Sequence, residues 1–127
     1  METGTVKKDS LVCNPVAGWV VCTKGGSRGQ DYRIYKGFNR FGTSSENDII
    51  LDQEPEAAAF SHCSVVYDDR GNKSYLVGGE GTKTWLNKSL LDSPEVLKTG
   101  DEIQIGNTIY IYIGFCGEGR SWKEVEE

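Results

Sequence analysis

Apolar residues in this chain recur at every second position in short runs, and no twelve-residue window carries the three- and four-residue spacing of an amphipathic helix. A period of two sends alternate side chains to opposite faces, so each run reads as a strand that buries one face. Ala17 to Thr23 is the first run, and Lys24-Gly25-Gly26-Ser27-Arg28-Gly29-Gln30 turns the chain into a second around Tyr32 and Ile34, with Lys36 extending the inward set. Phe38 to Phe41 and Ile49 to Leu51 follow, separated by the polar loop Thr43 to Asp48. Cys63 to Tyr67 and Ser74 to Val77 flank the turn Asp68-Asp69-Arg70-Gly71-Asn72 as a second hairpin. Trp85-Leu86, Leu90-Leu91, Val96-Leu97 and Glu102 to Ile105 are shorter units. In Asn107 to Phe115, Ile109, Ile111 and Ile113 alternate with Tyr110 and Tyr112, so that this last strand is expected to be covered on both faces. The alanines of Glu54 to Ala59 favour helix but are too few to hold one. An all-β sandwich is the expected fold.

With 127 residues, 37% of them apolar, the chain has core material for one domain and too little for two. The boundaries read as a flexible segment over residues 1–13, a folded domain over 14–116 and an acidic tail over 117–127, in which Trp122 is the one residue expected to dock. A formal charge of -5 gives no general reason to bind nucleic acid, so any anionic ligand needs a local basic site. The start lacks a signal peptide's apolar stretch, and no run reaches the roughly 18 apolar residues of a membrane span, so the expectation is a cytoplasmic protein without a membrane partner. Cys13, Cys22, Cys63 and Cys116 contain no CxxC pair and read as reduced thiols, with Cys22 and Cys63 in strand patterns as small core side chains.

Catalysis has little material to work with. His62, the single histidine, reads as a structural residue holding a loop through its ring nitrogens, and the cysteines sit in apolar runs rather than in electropositive settings that activate a thiol. Asp68 and Asp69 are adjacent on a turn and cannot face each other across a cleft. The glycine-rich stretches Gly25 to Gly29 and Gly78 to Gly81 lack the Lys-Ser/Thr ending of a nucleotide-binding loop. No enzyme activity, cofactor or metal is expected. Lys24, Arg28, Arg40 and Lys83 lie in or beside loops, which makes the loop edge of this acidic chain a candidate for local basicity.

Four ordered motifs carry a resemblance: Lys36-Gly37-Phe38-Asn39-Arg40-Phe41-Gly42-Thr43-Ser44-Ser45-Glu46-Asn47-Asp48-Ile49-Ile50-Leu51, then Ser61-His62-Cys63-Ser64-Val65, then Thr82-Lys83-Thr84-Trp85-Leu86-Asn87, then Leu97-Lys98-Thr99-Gly100-Asp101-Glu102-Ile103-Gln104-Ile105-Gly106. Together they resemble a forkhead-associated (FHA) domain, and the chain's opening and ending, Gly18 to Gly25 and Phe115 to Glu118, are similar to small bacterial proteins built around one. The resemblance implies a sandwich of about eleven strands that recognises phosphothreonine peptides with loops at one end. It places the peptide-binding positions at Thr43, Ser44, Ala59, Phe60, Gly81 and Thr82, and the supporting ones at Gly42, His62, Thr84 and Asn87. Three of these depart from the family pattern: threonine replaces arginine at Thr43, alanine replaces serine at Ala59, and threonine replaces asparagine at Thr82. Arginine is a charged fork of donors suited to phosphate and threonine is one neutral hydroxyl, so the implied site is degenerate. The expectation is a non-catalytic protein-interaction module with weak or no phosphothreonine selectivity and Phe60 as either an exposed anchor or a buried side chain. The alternative retains phosphothreonine-peptide binding through Arg28, Ser61 and Lys83 with Ser44. A protein or phosphopeptide is the expected partner, and self-association stays open.

Overall fold

The computed structural model describes residues 14–51, 54–117 and 119–122. Among them run eleven strands and no helix: β1 (Gly18–Lys24), β2 (Asp31–Ile34), β3 (Gly37–Gly42), β4 (Ile49–Ile50), β5 (Cys63–Asp68), β6 (Lys73–Gly78), β7 (Trp85–Leu86), β8 (Ser89–Leu90), β9 (Glu95–Val96), β10 (Glu102–Ile105) and β11 (Thr108–Gly114). They form a six-stranded sheet in the order β2-β1-β11-β10-β7-β8 and a five-stranded sheet in the order β4-β3-β5-β6-β9. All pairs are antiparallel except β3 with β4.

Alternation decides what lies between the sheets. Val20, Ile34, Ile103, Ile105 and Tyr110 point inward from the six-stranded sheet and meet Phe41, Ile49, Val65 and Leu76 from the other, all fully buried. The β11 tyrosines face this core: the Tyr112 hydroxyl donates to Ser74 Oγ at 2.8 Å, and the Tyr110 ring meets Phe41 edge-on with centroids 5.2 Å apart. The isoleucines of β11 take the outer face and stay half-buried, with no second layer over them among the described residues, so double coverage of this strand is corrected to one packed face. Lys36 is likewise exposed and pairs with Asp69 at 3.4 Å, because β2 ends at Ile34 and its inward alternation stops there. Cys22, Cys63 and Cys116 are buried free thiols, and Cys13 lies outside the described residues, as do 1–13. Trp122 docks: its ring stacks on Phe115 at 5.3 Å and its indole N–H donates to the Val16 carbonyl.

The pairing registers assign the connections to two poles. Phe41 pairs with Cys63 and Cys63 with Gly78, so the β3–β4, β4–β5 and β6–β7 connections leave one pole together. Ile105 pairs with Thr108, and Lys24 with Ile109, which brings the β10–β11 and β1–β2 turns to the same pole. The β5–β6 turn, the β9–β10 connection and the end of β11 lie at the other.

Candidate functional site: the loop pole

Buried polar side chains shape the loop pole chiefly by bonding to backbone. Asn47 is the first. Its Oδ1 accepts from Ser61 N at 2.8 Å, and its Nδ2 donates to Ala59 O at 2.8 Å, Ser44 O at 2.9 Å and Ser44 Oγ at 3.1 Å. Backbone bonds from Thr43 N to Ala58 O and from Ser44 N to Ala59 O lay the β3–β4 loop along the β4–β5 connection. Gly42 is required at their junction, because a Cβ there would come within 2.5 Å of Asn47 Nδ2 and 2.6 Å of Ala59 O. Ser61 adopts a positive φ of 51° to present its N–H to Asn47.

His62 is the second clasp. Its Nδ1 accepts from Ala58 N and its Nε2 lies 2.9 Å from the Lys83 carbonyl, an arrangement that requires the proton on Nε2. One buried ring thus ties the β4–β5 connection to the β6–β7 loop. Thr82 closes that loop from within, its hydroxyl lying 2.8 Å from His62 O and 2.7 Å from Gly79 O. Thr84 is buried next to the Cys63 thiol and has no oxygen or nitrogen partner among the described residues. Burial pushes the Cys63 thiol up to about 12 against the lowering effect of Thr84. With that thiol protonated at neutral pH and both His62 nitrogens engaged, the neighbouring His62 and Cys63 offer no base and nucleophile pair.

Glu54 is the third clasp. It is only 5% exposed, and its carboxylate accepts from Glu56 N at 3.0 Å, Asn107 N at 3.1 Å and Thr108 Oγ1 at 2.8 Å. Desolvation raises its pKa, but these donors outweigh it and hold the carboxyl below the ordinary value. The β10–β11 turn is thereby bound to the β4–β5 connection.

Between these clasps opens a cleft of about 900 Å³, whose walls include Ala58, His62, Gly81, Thr82 and Lys83 on one side and Gln104 and Asn107 on the other. The structure therefore brings Gly81, Thr82 and Lys83 to His62. Thr43, Ser44, Ala59, Phe60 and Ser61 lie outside this cleft, beyond the backbone of the β4–β5 connection. Thr43 and Ala59 are exposed, and the Phe60 ring is 51% exposed, which decides between its two expected placements. Arg28 is exposed on the β1–β2 turn of the same pole and does not line the cleft. Asn87 does not line the cleft, although the next residue, Lys88, does: the two take positive φ in the two-residue β7–β8 turn, and Asn87 bonds to Glu102 and Asp101. Asn47 and Glu54 are the residues that sequence reasoning gave no role. An asparagine inside a matched motif is a signal for the first, and nothing marks the second.

The FHA domain family matches residues 39–106, more than half of the chain. This chain belongs to the FHA domain family. Solved FHA domains share its fold at low identity. One described for phosphothreonine-dependent interactions has a TM-score of 0.66 at 20% identity, covering 76% of this chain and 95% of that one. An FHA domain from Arabidopsis thaliana gives 0.67 at 22%, covering 84% and 91%, and one from Chlamydia trachomatis gives 0.68 at 12%, covering 78% and 98%. No curated protein matches the chain. No helix among the described residues is long and apolar enough to cross a membrane.

Proposed function

We propose that this FHA domain is a non-catalytic, cytoplasmic protein-interaction module, with residues 14–116 as its β-sandwich, whose loop pole binds a partner with little or no preference for phosphothreonine. The observation that carries this reading is the orientation of Thr82. Its hydroxyl is spent on two carbonyls of its own framework and is not offered outward. Thr43 has one neutral hydroxyl at the position of the family arginine, and Ala59 has none at the position of the family serine. A hydrogen bond to a charged group contributes about 1.5–3 kcal/mol, so losing the arginine contact and a hydroxyl contact weakens phosphate binding by roughly two orders of magnitude. The exposed Phe60 ring beside Ala59 supplies an apolar anchor in their place.

One observation favours phosphothreonine binding as a second reading. Lys83 is exposed on the cleft wall with no ion pair to a described residue, and Ser44, Ser61 and Arg28 share its pole. A related FHA domain is described through phosphothreonine-dependent interactions. Lysine is a flexible point charge and does not reproduce the planar fork.

Matched threonine and phosphothreonine peptide libraries, with binding read at the loop-pole residues Thr43, Gly81 and Lys83, separate the two. The first reading expects affinity ratios below about tenfold, whereas a larger preference, above about 1.4 kcal/mol, overturns it. Combining Thr43→Arg, Ala59→Ser and Thr82→Asn is expected to raise the ratio.

A further inference from the structure

The pole opposite the loops carries a different concentration of charge. A groove of about 620 Å³ opens there, and three separate segments each contribute one cation: Lys73 from the start of β6, Lys98 from the β9–β10 connection, and Arg120 from the turn after β11. None of its described lining residues is a carboxylate, in a chain with 19 Asp plus Glu against 14 Lys plus Arg. None of the three cations is in an ion pair with a described residue. Two described carboxylates beside these residues in the fold are turned to other donors. Asp68, the cross-strand neighbour of Lys73, accepts from Arg70 N at 3.1 Å. Asp101 accepts from Lys98 N at 2.8 Å and from Asn87 Nδ2 at 3.1 Å.

The cations sit on a fixed frame. Leu97 N donates to Ser74 O at 2.8 Å, which holds the Lys98 segment against β6, and Gly114 N donates to Thr99 Oγ1 at 2.8 Å. That bond uses the Thr99 oxygen as acceptor, so its hydroxyl proton remains available to a ligand oxygen. Asn72 donates to Gly117 O and Arg120 O, and Gly117 and Arg120 exchange backbone bonds of 2.9 Å. The Arg120 guanidinium lies 4.6 Å over the Phe115 ring and its Nε donates to the Phe115 carbonyl, which leaves the terminal nitrogens as forward donors. A held guanidinium, two exposed ammonium groups and a free hydroxyl proton on a groove without described carboxylates form a donor set for a multiply charged oxyanion.

We propose that this groove is a second site on the domain, binding a phosphate group, and that it is independent of the loop pole. Its volume exceeds that of a free phosphate ion, so a phosphorylated side chain with its flanking residues also fits. Both sources present the same oxyanion.

The test titrates the full ¹⁵N-labelled chain with inorganic phosphate at constant ionic strength, then with a phosphothreonine peptide and its unphosphorylated match. The expected result is saturable amide shifts around Lys73, Lys98 and Arg120, with the phosphopeptide tighter than inorganic phosphate if a modified protein is the natural source. The triple variant Lys73→Gln, Lys98→Gln, Arg120→Gln is expected to weaken binding at least tenfold, and binding is expected to fall as salt rises. Should Arg120→Gln disturb the terminal turn, the Lys73→Gln, Lys98→Gln pair is expected to weaken binding by at least threefold. Shifts that never saturate, that chloride reproduces, or that survive the charge-removing variants overturn the proposal. Shifts confined to Thr43, Lys83 and their neighbours also overturn it, and they separately refute the reading of the loop pole as phosphate-blind.

Discussion

Replacing Asn47 with alanine tests whether the loop pole is held from beneath by this one amide. The change removes the one bond that the Ser61 N–H makes among the described residues, because Asn47 Oδ1 is its acceptor at 2.8 Å, and orphaning this half-buried donor costs about 1–2 kcal/mol, the lower part of the range for a buried one. The carbonyls on the other side fare better. Ala59 O keeps the backbone donor Ser44 N at 2.9 Å, and Ser44 O keeps Asn47 N at 3.2 Å, so each loses one of two donors at a net cost of about 0.5–1 kcal/mol. The sum is about 3 kcal/mol. For a chain of this size that corresponds to a melting point lower by roughly 10 °C. Urea unfolding at pH 7 measures the loss, an unchanged denaturant slope shows that the folded state is otherwise intact, and hydrogen exchange at Ser61 locates it. Asn47→Asp is the sharper control, since it keeps an acceptor for Ser61 N but sets an oxygen between the Ser44 and Ala59 carbonyls. It is expected to destabilise by a comparable amount. A loss below about 1 kcal/mol in Asn47→Ala would mean that the backbone bonds between the two connections suffice without the amide.

Acid is expected to release the Glu54 clasp. Its folded pKa lies below the ordinary 4.5, so its contribution is complete above that value and disappears as pH falls through the folded one. Glu54→Gln is therefore expected to flatten the acid limb of the stability profile measured by urea unfolding between pH 3 and 7, and an unchanged limb refutes the assignment. Two glycines with positive φ isolate the same clasp. Gly37→Ala, at φ 86° with nothing within 4 Å of the new Cβ, is expected to cost about the 1–2 kcal/mol of left-handed strain alone. Gly106→Ala, at φ 57°, drives its Cβ into the Glu54 carboxylate and is expected to cost at least about 1 kcal/mol more, the order of one broken charged hydrogen bond. Equal losses would show that the carboxylate moves aside freely.

What the sequence disclosed follows from where the information resides. The β1–β2 and β5–β6 hairpins were legible because alternation and turn residues are local properties of the chain. The two-residue strands β4, β7, β8 and β9 owe their existence to partners distant in sequence, and their own residues specify little. In β11 the alternation separated tyrosines from isoleucines but could not orient them, since both sets are apolar enough to be buried. The core took the tyrosines, with Tyr112 finding Ser74 across the sandwich. At the loop pole the motif order was readable, and so were Gly42 and His62. Asn47 and Glu54 were not, because a loop asparagine or glutamate in sequence looks solvated and only tertiary structure buries it.

The clasps also show how such a pole can carry different outward side chains without losing its shape. Asn47, His62 and Glu54 act chiefly on backbone atoms, from beneath, so the outward side chains at Thr43 and Ala59 are free to differ from the family pattern at little structural cost. Thr82 is the exception, because its hydroxyl bonds inward to the frame itself. Restoring arginine and serine at the first two positions adds outward groups to an intact frame. Restoring asparagine at the third must replace the threonine's bonds to Gly79 and His62 before its amide can face a ligand. The double variant Thr43→Arg, Ala59→Ser is therefore the cleaner measure of whether the frame still positions a phosphate. A further change on adding Thr82→Asn reports the geometry of the β6–β7 loop instead.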